Sequence, residues 1–247
     1  MPSPRFMDPK RIHRLLFGVY YQEDIFEQVS HLVPPVMPAL GRQVLKDARA
    51  RKLIFLHVPR TGGTSISSSL YGKRCTQHYS AACLKAMAPQ FWAQTESFAV
   101  LRDPYDRFAS SYAFVRGGGT DTCRLSDVFL EQTANIRSVD GYLSFIEARE
   151  AMQLDFVMRP QAWFVCDHQS GLPLVQRLFQ YGRDHVALLA YLESHGIAGL
   201  PWLNRSLRIP LTLSRRQKLR VEKIYAADFA LLDLMSATRA AIGIAAE

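Results

Sequence analysis

The chain has 247 residues, 48% hydrophobic and 21% charged, with 30 Lys and Arg against 22 Asp and Glu for a formal charge of +8. This composition excludes a disordered tail, a collagen-like chain and a coiled-coil rod, and the length is enough to bury a core without a metal or disulfide. The positive balance suits an anionic partner, whether nucleotide, nucleic acid, acidic polysaccharide or anionic membrane, without choosing among them. No apolar run approaches the ~20 residues that span a bilayer. The first ten residues lack an apolar stretch leading to a cleavage site, so a soluble, cytoplasmic protein with no membrane span is expected. Cys75, Cys83, Cys123 and Cys166 lie far apart with no Cys-x-x-Cys pair, which predicts scattered buried thiols and no metal site.

In chain order, residues 1–50 are expected to form a helical extension packed on a main domain at 51–247. Ile12, Leu15, Leu16, Val19 and Tyr20 recur at helical spacing, and Ile25, Phe26, Val29 and Leu32 follow before Pro34, Pro35 and Pro38 break the pattern. Residues 52–58 (KLIFLHV) are a nearly continuous apolar run, as in a parallel strand covered on both faces. The run enters PRTGGTS at 59–65, and an apolar-patterned helix follows from Ile66 to Leu70. A second strand at 97–101 leads into a helix with Asp103 as its cap and Pro104 as its first residue, which Gly117, Gly118 and Gly119 end. Helices are expected near 126–134, 138–149, 186–192 and 222–241, and a strand at 163–166. The predicted class is α/β: a P-loop-like, three-layer fold whose central, mainly parallel sheet is flanked by helices.

The glycine turn carries the first chemistry. Gly62 and Gly63 allow consecutive N–H groups to converge on an anion. Thr64 and Ser65 add hydroxyls at a helix start, and Arg60 adds a full positive charge. A tight strand–helix turn with no ligand would use the same glycines. A nucleotide triphosphatase would need G-x-x-x-x-G-K-[ST], and neither that spacing nor that lysine is present. Arg102 lies at the carboxyl end of the second strand, where open α/β sheets bind ligands, and Arg107 and Ser110 share a face of the next helix. These groups could hold a second phosphate; the bland alternative is that the arginines make surface pairs with Asp103 and Asp106.

The segments IFLHVPRTGGTS (54–65) and FAVLRDPYDRFASSY (98–112) resemble the two nucleotide signatures of sulfotransferases that use 3′-phosphoadenosine 5′-phosphosulfate, PAPS. The likeness is greatest to the carbohydrate O-sulfotransferase branch, with its heparan-sulfate-type and bacterial members. The resemblance implies that Arg60, Thr61, Gly62, Gly63, Thr64 and Ser65 hold the 5′-phosphosulfate, and that Arg102 and Ser110 hold the 3′-phosphate. It extends more loosely over residues 51–235, through 77–81 (QHYSA), 159–161, 174–181, 204–206 and 225–229. Two positions depart from the family pattern: Arg60 stands where most members have lysine, and Gly182 where many have glutamate.

The implied reaction is in-line transfer of a sulfuryl group to a hydroxyl acceptor, most readily on a saccharide or glycan, with no metal. A base that titrates near neutrality favours histidine, and His78 matches the family's histidine. His57, inside the apolar strand, reads as a core residue. Arg60 would stabilise the leaving phosphate. Residues 67–69 read as a polar helix face, Trp92, Trp163 and Trp202 as core, and residues 116–121 as a loop toward the acceptor. A tyrosine or small-metabolite acceptor, and a nucleotide-binding protein that has lost catalysis, remain alternatives. Nucleic-acid binding is not expected, because no recognition motif accompanies the charge.

Overall fold

The computed structural model describes residues 8–29, 39–72, 78–120, 123–200 and 211–242. Among these, the chain opens with helices α1 (Pro9–Phe17), α2 (Gln22–Val29) and α3 (Ala39–Arg51) before strand β1 (Leu53–Leu56). Then come α4 (Gly63–Tyr71), α5 (Ala81–Met87), α6 (Pro89–Gln94), β2 (Glu96–Leu101), α7 (Pro104–Arg116), α8 (Asp127–Thr133) and α9 (Val139–Glu147). The remainder is α10 (Ala162–Val165), β3 (Arg177–Gln180), α11 (His185–Ser194), α12 (Arg215–Ile224) and α13 (Ala226–Ile242).

The three strands form a small parallel sheet in the order β1-β2-β3, with Leu53 opposite Glu96 and Phe98 opposite Arg177. Every residue of β1 is buried, because alternate side chains serve two cores. Leu53 and Phe55 pack with Phe98 and Val100 against Ile66 and Leu70 of α4 and Leu188 and Leu192 of α11. Ile54 and Leu56 pack with Ala99 and Leu101 against Leu45, Leu84, Trp92 and Phe164. A third cluster joins Phe108 and Phe114 of α7 to Phe129, Tyr142 and Val221. Helices thus flank an open parallel sheet whose strand ends share one edge.

Several expectations need correction. Residues 163–166 are not a strand: α10 is a short buried helix, and the third strand is β3. A four-residue apolar run looks the same from sequence whether a buried helix or a buried strand uses it. The helical pattern at 222–241 belongs to two helices that break at Tyr225, whose hydroxyl donates to the Met158 carbonyl at 2.8 Å. Cys83 and Cys166 are buried but Cys123 is exposed, and Cys75 lies outside the described residues.

The proline-rich break at 31–38 and Trp202 also lie outside the described residues. Trp92 packs in the core, whereas Trp163 is only partly buried and stacks on His168 at 4.1 Å. Helix α2 is tied to the body by a buried two-pronged ion pair, with Arg159 Nη1 and Nη2 donating to the Asp24 carboxylate at 2.6 and 2.7 Å. No described helix is long and apolar enough to cross a membrane.

Candidate active site

β1 ends at Leu56, so His57 lies beyond the strand, at the entrance to the glycine turn. This corrects its placement inside the strand, while burial still lowers its pKa. Its imidazole covers Gly63 so closely that a Cβ added there would stand 1.9 Å from Cδ2. Gly62 is left-handed (φ 84°), and its added Cβ would meet the Tyr181 ring at 2.9 Å. Arg60 is left-handed as well (φ 70°), a conformation that costs a residue with a Cβ roughly 1–2 kcal/mol. Gly62 is the N-cap of α4 and has no side chain to occupy the first-turn N–H groups.

Thr61 is buried and its hydroxyl donates to the Val58 carbonyl at 2.9 Å, so it braces the turn. Ser67 is likewise buried and bonded to the Thr64 carbonyl, while Thr64 and Ser65 remain partly exposed at the helix start.

The two signatures meet at Arg60. Its Nε and Nη2 donate to the Ser110 hydroxyl oxygen at 3.1 and 2.9 Å, and its guanidinium lies 4.9 Å from the Phe114 ring. With both lone pairs of Oγ engaged, Ser110 retains an O–H to donate. Burial, and then the neighbouring Arg102 charge, lower the Arg60 pKa to about 10.

Arg102 is held through its backbone. The buried Gln161 side chain accepts from the Arg102 N–H and donates to its carbonyl, both at 2.8 Å. Its guanidinium lies 5.3 Å from the Tyr181 ring, and its Nε is buried without a hydrogen-bond partner among the described residues. Arg107 is engaged with the backbone, although its Nη2 is buried without a hydrogen-bond partner among the described residues. It is buried, with Nε and Nη1 donating to the Pro59 and Arg159 carbonyls at 3.0 and 2.7 Å. Asp228, also buried, accepts from the Ala162 N–H at 2.9 Å, just beyond Gln161. Neither Gln161 nor Tyr181 was singled out from sequence as a site residue; each fell within a block of looser resemblance, the only signal available.

His78 is partly exposed and sits ring against ring with His57, 4.6 Å between centroids. Its Nδ1 lies 2.9 Å from the His57 carbonyl, which can only accept, so the proton is on Nδ1 and Nε2 carries the lone pair. Burial lowers the pKa values of both histidines, and of His57 strongly, so both are neutral at pH 7. A pocket of about 240 Å³ opens elsewhere, lined by Arg116, Gly117, Gly118, Leu130 and Arg137 at the far end of α7. Of the loop assigned to the acceptor, Arg116, Gly117 and Gly118 border it, and Asp121 lies outside the described residues. Among the described residues no group of three or more His, Cys, Asp or Glu could hold a metal.

No curated protein and no solved structure matches the chain. The model of the sulfotransferase family does, over residues 45–234, well beyond half of the chain and across both turns. A strand–glycine-turn–helix and a strand–arginine–helix meet at one locus within the matched span: the chain belongs to the sulfotransferase family.

Proposed function

We propose that the protein transfers the sulfuryl group of PAPS to a hydroxyl acceptor, with a saccharide as the acceptor class. The observation that carries this reading is the contact between Arg60 of the first turn and Ser110 of the second. It joins the two turns at one edge of the sheet, an arrangement that suits a nucleotide phosphorylated at both ends. The residues fit such a group: uncapped N–H groups with Thr64 and Ser65 for the 5′ end, and the partnerless Arg102 Nε with the Ser110 O–H for the 3′-phosphate.

Bound there, PAPS supplies a sulfuryl group whose bond to the 5′-phosphate breaks as the acceptor oxygen attacks in line. Arg60 and the N–H groups of Gly62 to Ser65 neutralise the charge left on that phosphate. Nε2 of His78 takes the acceptor's proton, a role its neutral imidazole suits at pH 7. His57 is the second choice, on the specific ground that its ring touches Gly63. The +8 charge supports an acidic glycan over a tyrosine peptide or small metabolite. The buried Cys83 and Cys166 thiols support action in the cytoplasm. A P-loop-like fold at 51–247, with residues 1–50 as a packed extension, completes the reading. No nucleic-acid partner belongs to it.

A catalytically impaired nucleotide binder is the competing reading, because Arg60 replaces lysine and is already engaged with Ser110. A thermal-shift comparison of adenosine 3′,5′-bisphosphate with ADP tests the binding half. Saturating bisphosphate, at 100 times its dissociation constant, stabilises by about 2.7 kcal/mol, and ADP is expected to do far less. Equal shifts would remove the 3′-phosphate site. Binding without transfer of labelled sulfate from PAPS to any of a panel of glycans, phenols and tyrosine peptides would favour the impaired binder.

A further inference from the structure

We propose that α1 docks the protein on an anionic lipid surface, a role independent of the reaction above. Its sequence, PKRIHRLLF, contains Lys10, Arg11, His13 and Arg14 and no acidic residue. At 100° per residue, Ile12, Leu15 and Leu16 form one stripe and the basic residues gather on the other side. A helix packed on a water-soluble body turns its apolar stripe inward. Here the reverse holds.

The basic side makes the contacts to the body. His13 Nδ1 lies 3.2 Å from the Tyr20 carbonyl, Lys10 sits 4.9 Å from the Tyr21 ring and Arg14 5.7 Å from the Tyr20 ring. Arg11 pairs with Glu131 of α8. No residue of α1 is buried, and Leu15 and Leu16 are 79% and 66% exposed, with Ile12 open beside them.

The size and charge of this face select its occupant. Ile12, Leu15 and Leu16 together expose on the order of 350 Å², the size of a monomer's largest apolar patch, which is often functional, yet under half of what one partner contributes to a stable dimer. Arg11 and Arg14 are exposed at its border, on a chain of net charge +8. Apolar side chains that enter the boundary between headgroups and acyl chains, beneath a basic helix attracted by anionic lipid, satisfy both features at once. A nucleic acid would leave the leucines in water. A second copy would bring a second basic helix to the first.

The test is co-sedimentation of the full chain with vesicles of phosphatidylcholine alone and with 30% phosphatidylglycerol, for the wild type and for the double variant Leu15→Glu, Leu16→Glu. The expected result is binding to the anionic vesicles at least tenfold stronger than to neutral ones, weakened by salt, and a tenfold or greater loss in the variant. Its melting temperature and bisphosphate affinity should stay unchanged. No wild-type binding, equal binding to both vesicle types, or equal binding of variant and wild type would overturn the proposal. So would a concentration-dependent dimer in sedimentation velocity that the variant abolishes, which would assign the stripe to a second copy. A fall of several degrees in the variant's melting temperature would assign it to the protein's own chain.

Discussion

The turns after β1 and β2 face the same edge of the sheet and are built from different materials. The first is almost all backbone: left-handed Arg60 and Gly62, with Gly63 pressed beneath His57. The second is a side-chain site with a buried scaffold, in which Gln161 grips both backbone groups of Arg102 and Arg107 fastens the Pro59 and Arg159 carbonyls. A backbone cradle is sensitive to atoms added within it. A side-chain cradle is sensitive to atoms removed at a distance from it.

Substitutions on each side should separate these sensitivities, and the largest effect is expected in chemistry. His78→Ala should lower sulfate transfer from PAPS by ~10²–10⁴-fold while leaving bisphosphate affinity nearly intact. If His57→Ala shows the larger loss in the same assay, the base belongs to the first turn. Arg102→Ala should weaken bisphosphate binding by roughly 2–5 kcal/mol in titration calorimetry, with little effect on AMP; unchanged affinity would take the 3′-phosphate away from the second turn.

Gln161→Leu tests action at a distance, since its side chain is buried and bonds the Arg102 backbone. It should cost about 1–3 kcal/mol in denaturant unfolding and reduce the preference for bisphosphate over AMP. Loss of stability with that preference intact would reduce Gln161 to scaffolding.

Gly63→Ala tests the opposite sensitivity. The new Cβ must displace His57, at about 1–3 kcal/mol of stability, and activity should fall with it. A fully active Gly63→Ala would mean that the imidazole is free to move.

The smallest effect is in pH. Burial holds the His57 and His78 pKa values below the ordinary 6.5, so below that pH the unfolded chain binds more protons than the folded one. The histidine contribution to stability should be flat above about pH 6.5 and decline on acidification toward the folded values, by at most about 1.4 kcal/mol per pH unit per histidine. His78→Gln should flatten part of that slope in thermal melts.

Sequence reading reached the first two strands because their apolar runs are buried on both faces, and it reached α7 because its capping signals are local. Asp103 accepts from the Tyr105 and Asp106 N–H groups, and Pro104 opens the helix as expected. β3 escaped because it is short and partly exposed, with Arg177 and Gln180 at its ends. Residues 163–166 were misread because burial, rather than backbone preference, put four apolar residues together. At the site, the residue types and their order were legible. What escaped was direction: Arg60 toward Ser110, Arg107 into the core, His57 over Gly63. Side-chain direction depends on which distant backbone groups need partners, as the grip of Gln161 on Arg102 illustrates.

The Asp24–Arg159 pair has a consequence for how the chain can be divided. Arg159 stands two residues before Gln161, and its carbonyl also receives Arg107. One short stretch of backbone therefore anchors α2, fixes the helix that follows β2 and grips Arg102. Trimming the N-terminal helices to obtain a minimal catalytic fragment would remove Asp24, leave a buried guanidinium without its counter-charge and loosen the segment that positions Arg102. The N-terminal segment is thus built into the support of Arg102, even though it lies outside both turns.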